Sequence, residues 1–187
     1  MDPNTRPIQL ALLAVLGFAL LAFAASLVVP FNVTKPAAVY VQAGSAERVI
    51  AGHTPEPLLL DSVTHLEAGH SLRILPTGET RVTFEINEGW AVLIGPAALT
   101  LTESFRHATM LGHVSDRFER EYVLTLEQTA GRIRYNFSDA NPSFTESTIT
   151  IRLPDGRYTP DSPCWTIEIS EEHESRIESS DCSTSDE

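Results

Sequence analysis

The sequence has few of the residues that catalytic, metal-binding and nucleic-acid-binding proteins commonly use. Its 187 residues include two cysteines, and lysine and arginine number 13 against 25 acidic residues. The net charge of -12 excludes a typical nucleic-acid-binding surface, which is basic. No C-x-x-C, H-E-x-x-H, G-x-S-x-G or glycine-rich phosphate loop occurs in the chain. These absences predict a protein that is not an enzyme and binds no cofactor.

Long apolar runs are missing from most of the chain, but one fills the N-terminal region. Residues 8–29 carry no charged side chain over 22 positions, enough for a helix to cross a bilayer core. We predict a retained transmembrane anchor here, with a cleaved signal peptide as the alternative. Residues 1–7 then form a short cytoplasmic arm, and residues 30–37 form a linker stiffened by two prolines.

From residue 38 to residue 170, apolar and polar residues alternate between turns rich in Gly, Pro and Asn. In "TRVTFEI", for example, Val82 and Phe84 share one face and Arg81 takes the other. This alternation is typical of half-buried strands, and the turns recur at a spacing of about 8–12 residues. The sequence therefore predicts an all-β domain of many short strands, arranged as a solenoid, a sandwich or a barrel.

Two turns and one irregular segment are predicted inside this domain. Gly95-Pro96 interrupts "WAVLIGPAALTLT" at its middle, and a Gly-Pro pair there would break a helix. A membrane span would need about 20 apolar residues without such an interruption. We therefore predict two strands joined by a turn at Gly95-Pro96, and a second turn at residues 129–131. Residues 103–119 have mixed helical character and are predicted as a loop or short helix.

The C-terminal residues 171–187 are predicted to be a disordered, acidic tail. They contain seven acidic residues and one arginine, and few apolar side chains that could be buried. Cys164 begins the last predicted strand and Cys182 lies in this tail. Because oxidation is permitted outside the cytoplasm, we predict a Cys164–Cys182 disulfide, with an intermolecular bridge through Cys182 as the alternative.

The six histidines raise an alternative function, a secreted or anchored metal-dependent hydrolase. His65 and His70 flank one predicted turn, and His107 and His113 bracket the irregular segment. A catalytic zinc site needs about three protein ligands that converge on the metal. None of these spacings matches a zinc motif, so we predict no metal site and no catalytic residue.

The order of turns and strands between residues 66 and 102 follows a recognisable pattern. The residues that carry it are Gly69, Leu72, Ile74, Val82, Phe84, Glu88-Gly89, Val92, Ile94, Gly95-Pro96, Leu99 and Leu101. This pattern resembles the FecR-like domain, the exported module of bacterial iron-dicitrate-type transmembrane regulators. The segment "LTLEQTAGRIRYNF" is similar to the family's strand–Gly–strand segment, which extends the resemblance over residues 38–153. The resemblance implies an exported all-β domain on a single-span anchor in the bacterial cell envelope.

The sequence departs from the family pattern at several points. His70 stands where the family usually has Asp, and Trp90 stands where it has Ser. The regulators also hold a sigma factor through a cytoplasmic segment of many tens of residues, whereas residues 1–7 precede the apolar run here. We therefore expect no anti-sigma activity.

Together these features predict a membrane-anchored extracytoplasmic β domain that binds, senses or scaffolds. Its N-terminal run would contact the lipid bilayer in a single pass. Exposed loops at residues 52–57, 103–119 and 138–146 would meet an envelope protein or a polysaccharide. No nucleic acid partner is expected.

Overall fold

The computed structural model of the chain describes residues 5–29, 31–85, 88–108, 120–140, 147–180 and 182. The chain forms two compact units. One unit consists of Met1–Val33 and His107–Arg120, and the other of Thr34–Arg106 and Glu121–Glu187. The second unit contains the hydrophobic core and the candidate site described below.

Helix α1 spans Thr5–Val28 and covers most of the predicted apolar run. Its large apolar side chains between Leu12 and Phe23 are each more than half exposed to solvent. Side chains of α1 are described over residues 12–25 and at Leu27. Among the residues so described, no helix has the length and hydropathy that a membrane crossing requires.

The prediction of an all-β body is confirmed. In the described residues thirteen strands follow the helix: β1 Phe31–Thr34, β2 Ala37–Ala43, β3 Ala46–Val49, β4 Glu56–Leu58, β5 Val63–Leu66, β6 Ser71–Ile74, β7 Glu79–Phe84, β8 Trp90–Ala108, β9 Arg120–Asn136, β10 Ser147–Leu153, β11 Gly156–Tyr158, β12 Cys164–Ile169 and β13 Ser175–Ser179. They form one large mixed sheet. Strands β9 and β10 pair in parallel, and the pairs β10–β11, β12–β13, β9–β12, β2–β5, β2–β7, β3–β4, β3–β6, β6–β8 and β7–β8 are antiparallel.

The sheet has two parts that share the long neighbouring strands β8 and β9. The first layer contains β5, β2, β7, residues 90–94 of β8, residues 131–136 of β9, β12 and β13. The second layer contains β4, β3, β6, residues 97–100 of β8, residues 122–127 of β9, β10 and β11. The buried apolar side chains of both layers form a single core. A sheet must bury its apolar face against another layer, and here the two parts cover each other.

Stacked aromatic rings fill the core beneath the first layer. Phe84 stacks on Phe137 with ring centres 5.7 Å apart, and Phe137 stacks on Trp165 at 5.3 Å. Tyr135 stacks on the same indole at 5.3 Å, and Tyr158 meets it edge-on at 6.3 Å. Four of these rings come from first-layer strands or the residue after them, so the stack fixes the spacing of β7, β9 and β12.

The predicted turn at Gly95-Pro96 is wrong, because β8 runs through it as one strand. Residues 90–94 pair with β7, and residues 97–100 pair with β6. The cis Gly95-Pro96 bond therefore lies where the strand changes partner. A side chain at Gly95 would overlap the carbonyl oxygen of Leu75, which explains the glycine.

The predicted turn at residues 129–131 is wrong for the same reason. Strand β9 continues through Gly131, pairing with β10 before it and with β12 after it. Gly131 has φ of +77°, in the left-handed region that favours glycine. A methyl group there would overlap the carbonyl oxygen of Pro96 and the Cα of Ala97. The bends of the two long strands are thus packed against each other, and we call this contact the corner.

Other expectations also need correction. The sheet is open, so the barrel alternative is wrong. Residues 103–108 belong to β8, so the predicted loop or short helix is wrong for these residues, and residues 109–119 lie outside the described residues. Strand β1 occupies four of the eight residues of the predicted linker 30–37, and β13 lies within the predicted tail. The two long strands, of 19 and 17 residues, also depart from the expected short-strand pattern.

Gln128 is a fully buried polar residue next to the corner. Its Nε2 donates hydrogen bonds to the carbonyl oxygens of Gly131 at 2.8 Å and Ile167 at 3.1 Å. Its Oε1 accepts a bond of 3.1 Å from the hydroxyl of Tyr135. Burial raises the pKa of this hydroxyl, which therefore stays protonated as a donor. The side chain therefore satisfies one backbone carbonyl at the bend of β9 and one in β12.

We predict that Gly131→Ala destabilises the domain more than Gly69→Ala does. Both glycines have positive φ, but a methyl group at Gly69 meets open space. The difference therefore isolates overpacking at the corner, for which we expect about 1–3 kcal/mol in the free energy of unfolding. Urea unfolding followed by tryptophan fluorescence measures both values. Equal losses for the two variants would mean that the corner tolerates the methyl group.

We also predict that Gln128 and Tyr135 act as one unit. Tyr135→Phe leaves the buried Oε1 of Gln128 without its donor, which costs about 1–3 kcal/mol. Gln128→Leu should cost more, because it leaves two backbone carbonyls and the hydroxyl without this partner. The double variant should lose less stability than the sum of the single losses, as a double-mutant cycle reports. Tyr40→Phe, which removes an exposed hydroxyl, is the control and should lose under about 1 kcal/mol.

Candidate functional site

The acidic C-terminal segment is attached to the β domain at two points. Cys164 and Cys182 form a disulfide with a Cα–Cα distance of 5.4 Å, within the usual range for such bonds. Residues 175–179 form β13, which pairs with residues 165–169 of β12. The expectation of disorder is therefore wrong for these residues. Backbone pairing with β12 orders a segment whose composition alone would leave it solvated.

Asp155 contacts the first residue of β13 from the turn between β10 and β11. Its carboxylate accepts hydrogen bonds from the backbone N–H of Ser175 at 3.0 Å and from the Ser175 hydroxyl at 2.6 Å. These bonds favour the charged form, so they lower the pKa of Asp155 below its ordinary value, the hydroxyl contributing most. This contact is a third attachment of the segment, between residues that are 20 positions apart in sequence.

Among the described residues, the candidate histidines belong to no cluster that could bind a metal ion. His65 pairs with Glu85, with Nδ1 and Oε1 3.1 Å apart, at an exposed position. The Nδ1 atom of His70 is buried and has no hydrogen-bond partner among the described residues. His107 lies in β8, and His113 lies outside the described residues. Within the described ranges, no group of three or more His, Cys, Asp or Glu side chains could hold a metal ion.

The outer face of the first layer presents a more organised group of side chains. Val82, Phe84, Ala91 and Leu93 point into the core, so their neighbours in sequence point outward. The strand register then places two rows of side chains across β5, β2, β7 and β8: Val63, Tyr40, Arg81 and Val92 in one row, and His65, Ala38, Thr83 and Trp90 in the other. His65, a metal candidate from the sequence, is therefore at one end of the row that ends at Trp90.

Trp90 is the centre of a cation–π cluster on this face. The guanidinium carbon of Arg81, from β7, lies 4.7 Å from the centre of the indole ring. The guanidinium carbon of Arg134, from β9, lies 6.0 Å from the same point. Cations within about 6 Å of an aromatic ring centre are attracted by its quadrupole. We call Arg81, Trp90 and Arg134 the arginine–tryptophan cluster.

The surroundings of Arg81 leave its charge uncompensated within the described part of the chain. Its cross-strand neighbours are Tyr40 and Val92, and no carboxylate among the described residues forms an ion pair with it. Glu79 is two residues before Arg81 on the same face of β7, and Glu85 directly follows this strand and pairs with His65. Arg81 is thus an exposed cation in a protein of net charge -12.

The sequence pattern predicts which side chains of β7 and β8 face inward and outward, but it does not predict the arginine–tryptophan cluster. The alternation in β7 places Arg81 opposite Val82, and the alternation in β8 separates Trp90 from Ala91. Neither pattern shows that Arg81 and Trp90 come from paired strands, nor that Arg134 joins them from β9. The structure also changes one of the predicted binding loops. Residues 56–57 of the predicted loop 52–57 belong to strand β4, which begins at Glu56.

Comparison with known proteins identifies no relative of this chain. No protein-family model, no curated protein and no solved structure matches it.

We predict that the pKa of Asp155 rises toward its ordinary value when Ser175 is replaced by alanine. The hydroxyl that stabilises the carboxylate is then lost, whereas the backbone N–H remains. A side-chain carboxyl NMR titration measures the pKa, with Ser62→Ala as a control in the turn before β5. Because the folded pKa is lowered, this attachment is fully formed above the unfolded pKa and is lost as pH falls through the folded pKa. A pKa unchanged in Ser175→Ala would mean that the hydroxyl bond does not persist in solution.

Proposed function

We propose that this chain is a membrane-anchored, extracytoplasmic binding domain of the FecR-like kind. Residues 8–29 cross the membrane once, and the β domain lies outside the cytoplasm. The domain has no catalytic role in this proposal, and it meets its partner through the outer face of the first layer. The arginine–tryptophan cluster is the observation that carries the binding role.

The anchor is supported by the sequence of residues 8–29, which contain no charged side chain. A run of this length is enough for a helix to span a bilayer core. The Cys164–Cys182 disulfide supports an oxidising compartment for the domain, since the cytoplasm keeps thiols reduced. The two features point to the same placement of the chain.

The binding role is supported by a charged aromatic cluster that the fold of the domain does not require. Arg81 is exposed and lies over a half-buried tryptophan instead of pairing with an acid. The strands that present it pack on the aromatic core through their inward side chains. Exposed cations and aromatic rings on a rigid β framework are typical of binding surfaces.

Cysteine labelling in intact cells tests the placement of the domain. Thr54→Cys lies at an exposed position in the β domain, and Asn4→Cys lies before the apolar run. The two native cysteines form a disulfide and do not compete. We expect a membrane-impermeant maleimide to label Thr54→Cys in intact cells, and to label Asn4→Cys only after the membrane is permeabilised.

Extraction and N-terminal sequencing complete this test. A retained anchor keeps the chain in the membrane fraction after an alkaline carbonate wash, with its N-terminus intact. A mature chain that begins after residue 24 would establish the signal-peptide alternative. Absence of label on Thr54→Cys in intact cells would place the domain inside and contradict the proposal.

A further inference from the structure

We propose that the arginine–tryptophan cluster binds the carboxylate groups of an acidic polysaccharide. This inference rests on the proposed binding role and names the ligand class of the same face. Arg81 is the residue that contacts the carboxylate, Trp90 is the residue that positions Arg81, and Arg134 adds positive charge at the same ring.

The contact between Arg81 and Trp90 leaves the hydrogen-bond donors of Arg81 for another partner. A guanidinium is planar, and its five N–H donors lie in that plane. The guanidinium carbon lies 4.7 Å from the centre of the Trp90 ring, a contact that uses none of the N–H donors as a hydrogen bond to a carboxylate. These donors can form two parallel hydrogen bonds to a carboxylate of a ligand, the arrangement that arginine favours.

The neighbours of Arg81 suit a sugar ring. Tyr40 lies directly across the strand pair from Arg81, and Val63 follows it across the next pair. The hydroxyl of Tyr40 donates to Asp61 at 2.9 Å, and the side chains of Tyr40 and Val63 are 37% and 64% exposed. A uronic acid presents an apolar C–H face to such a surface and a carboxylate at its edge. Val63, Tyr40 and Arg81, the exposed members of this row, offer apolar, aromatic and cationic groups to these two parts.

Charge favours a thin polymer over a membrane surface. The chain has a net charge of -12, so an anionic bilayer facing the whole domain would be repelled. A single polysaccharide chain meets only the charges of this face, because charges beyond about 8 Å are screened at physiological ionic strength. Its binding therefore depends on Arg81 and the immediate neighbours of Arg81, and not on the net charge of the whole domain.

Calorimetric titration of the full chain in phosphatidylcholine nanodiscs tests the proposal. The probe is oligogalacturonate, and its methyl-esterified form is the matched neutral control. We expect binding of the acidic form, weakened by added sodium chloride, and no binding of the ester. Dextran sulfate tests a sulfated polymer, and vesicles of phosphatidylglycerol with phosphatidylcholine test an anionic lipid surface. We expect both to bind more weakly than oligogalacturonate. Equally strong binding of either one would overturn the assignment to a carboxylated sugar.

Arginine variants locate the site. Arg81→Gln should raise the Kd for oligogalacturonate at least about tenfold, because a charge-assisted hydrogen bond is lost. Arg157→Gln removes the same charge from an exposed position in β11 and should change the Kd less than about twofold. Arg81→Lys keeps the charge without the planar donors, and its Kd should lie between those of the parent and Arg81→Gln. Urea midpoints equal to that of the parent show that the variants are folded.

The possible failures are distinguishable. Equal Kd values for Arg81→Gln and Arg157→Gln would show that the cluster is structural and overturn the inference. No binding of any probe, with Thr54→Cys labelled in intact cells, would overturn the ligand class and leave the placement of the domain standing. An unlabelled Thr54→Cys would contradict the proposed function itself, whatever the titrations show.

Discussion

The close approach of Gly131 to the backbone of Pro96 and Ala97 allows β8 and β9 to pass together from one layer to the other. Each strand pairs with different neighbours on the two sides of this contact. A side chain at residue 131 would push β8 and β9 apart at the point where both strands pass from one layer to the other. Gln128 completes the arrangement, since it binds the Gly131 carbonyl that the bend leaves inside the core. The single core follows from this contact, because both layers continue from the same pair of bent strands.

The alternation of apolar and polar residues was enough to predict the class of the fold but not this corner. Gly95-Pro96 and Gly131 give the same local signal as turns that reverse the chain. Whether a glycine reverses a strand or bends it depends on which strands pair on either side, and pairing is not encoded locally. The strand faces were predictable because they depend on the period of two, which neighbours along the chain reveal. The order of the strands in the two layers and the parallel β9–β10 pair were not predictable from this period.

The structure of the C-terminal segment also depends on contacts with residues that are distant in the sequence. Its charge and serine content predict a solvated chain, because Ile177 is its one strongly apolar residue. The structure supplies three distant constraints that composition cannot show: the β12 ladder, the carboxylate of Asp155 and the bond to Cys164. Of these, the pairing of the two cysteines was accessible from the sequence, since they are the only two in the chain.

The candidate site depends on the core through the strands that they share. Arg81 and Trp90 lie outward on β7 and β8, next to Val82 and Ala91, which face each other inward in register. Just before β8, Gly89 lies so close to Phe137 that any side chain at residue 89 would overlap the ring. The inner packing therefore sets the distance between β7, β8 and β9, and with it the distance of both arginines from the indole. A binding surface held in this way is organised before its ligand arrives, because the same register that closes the core also positions the cluster.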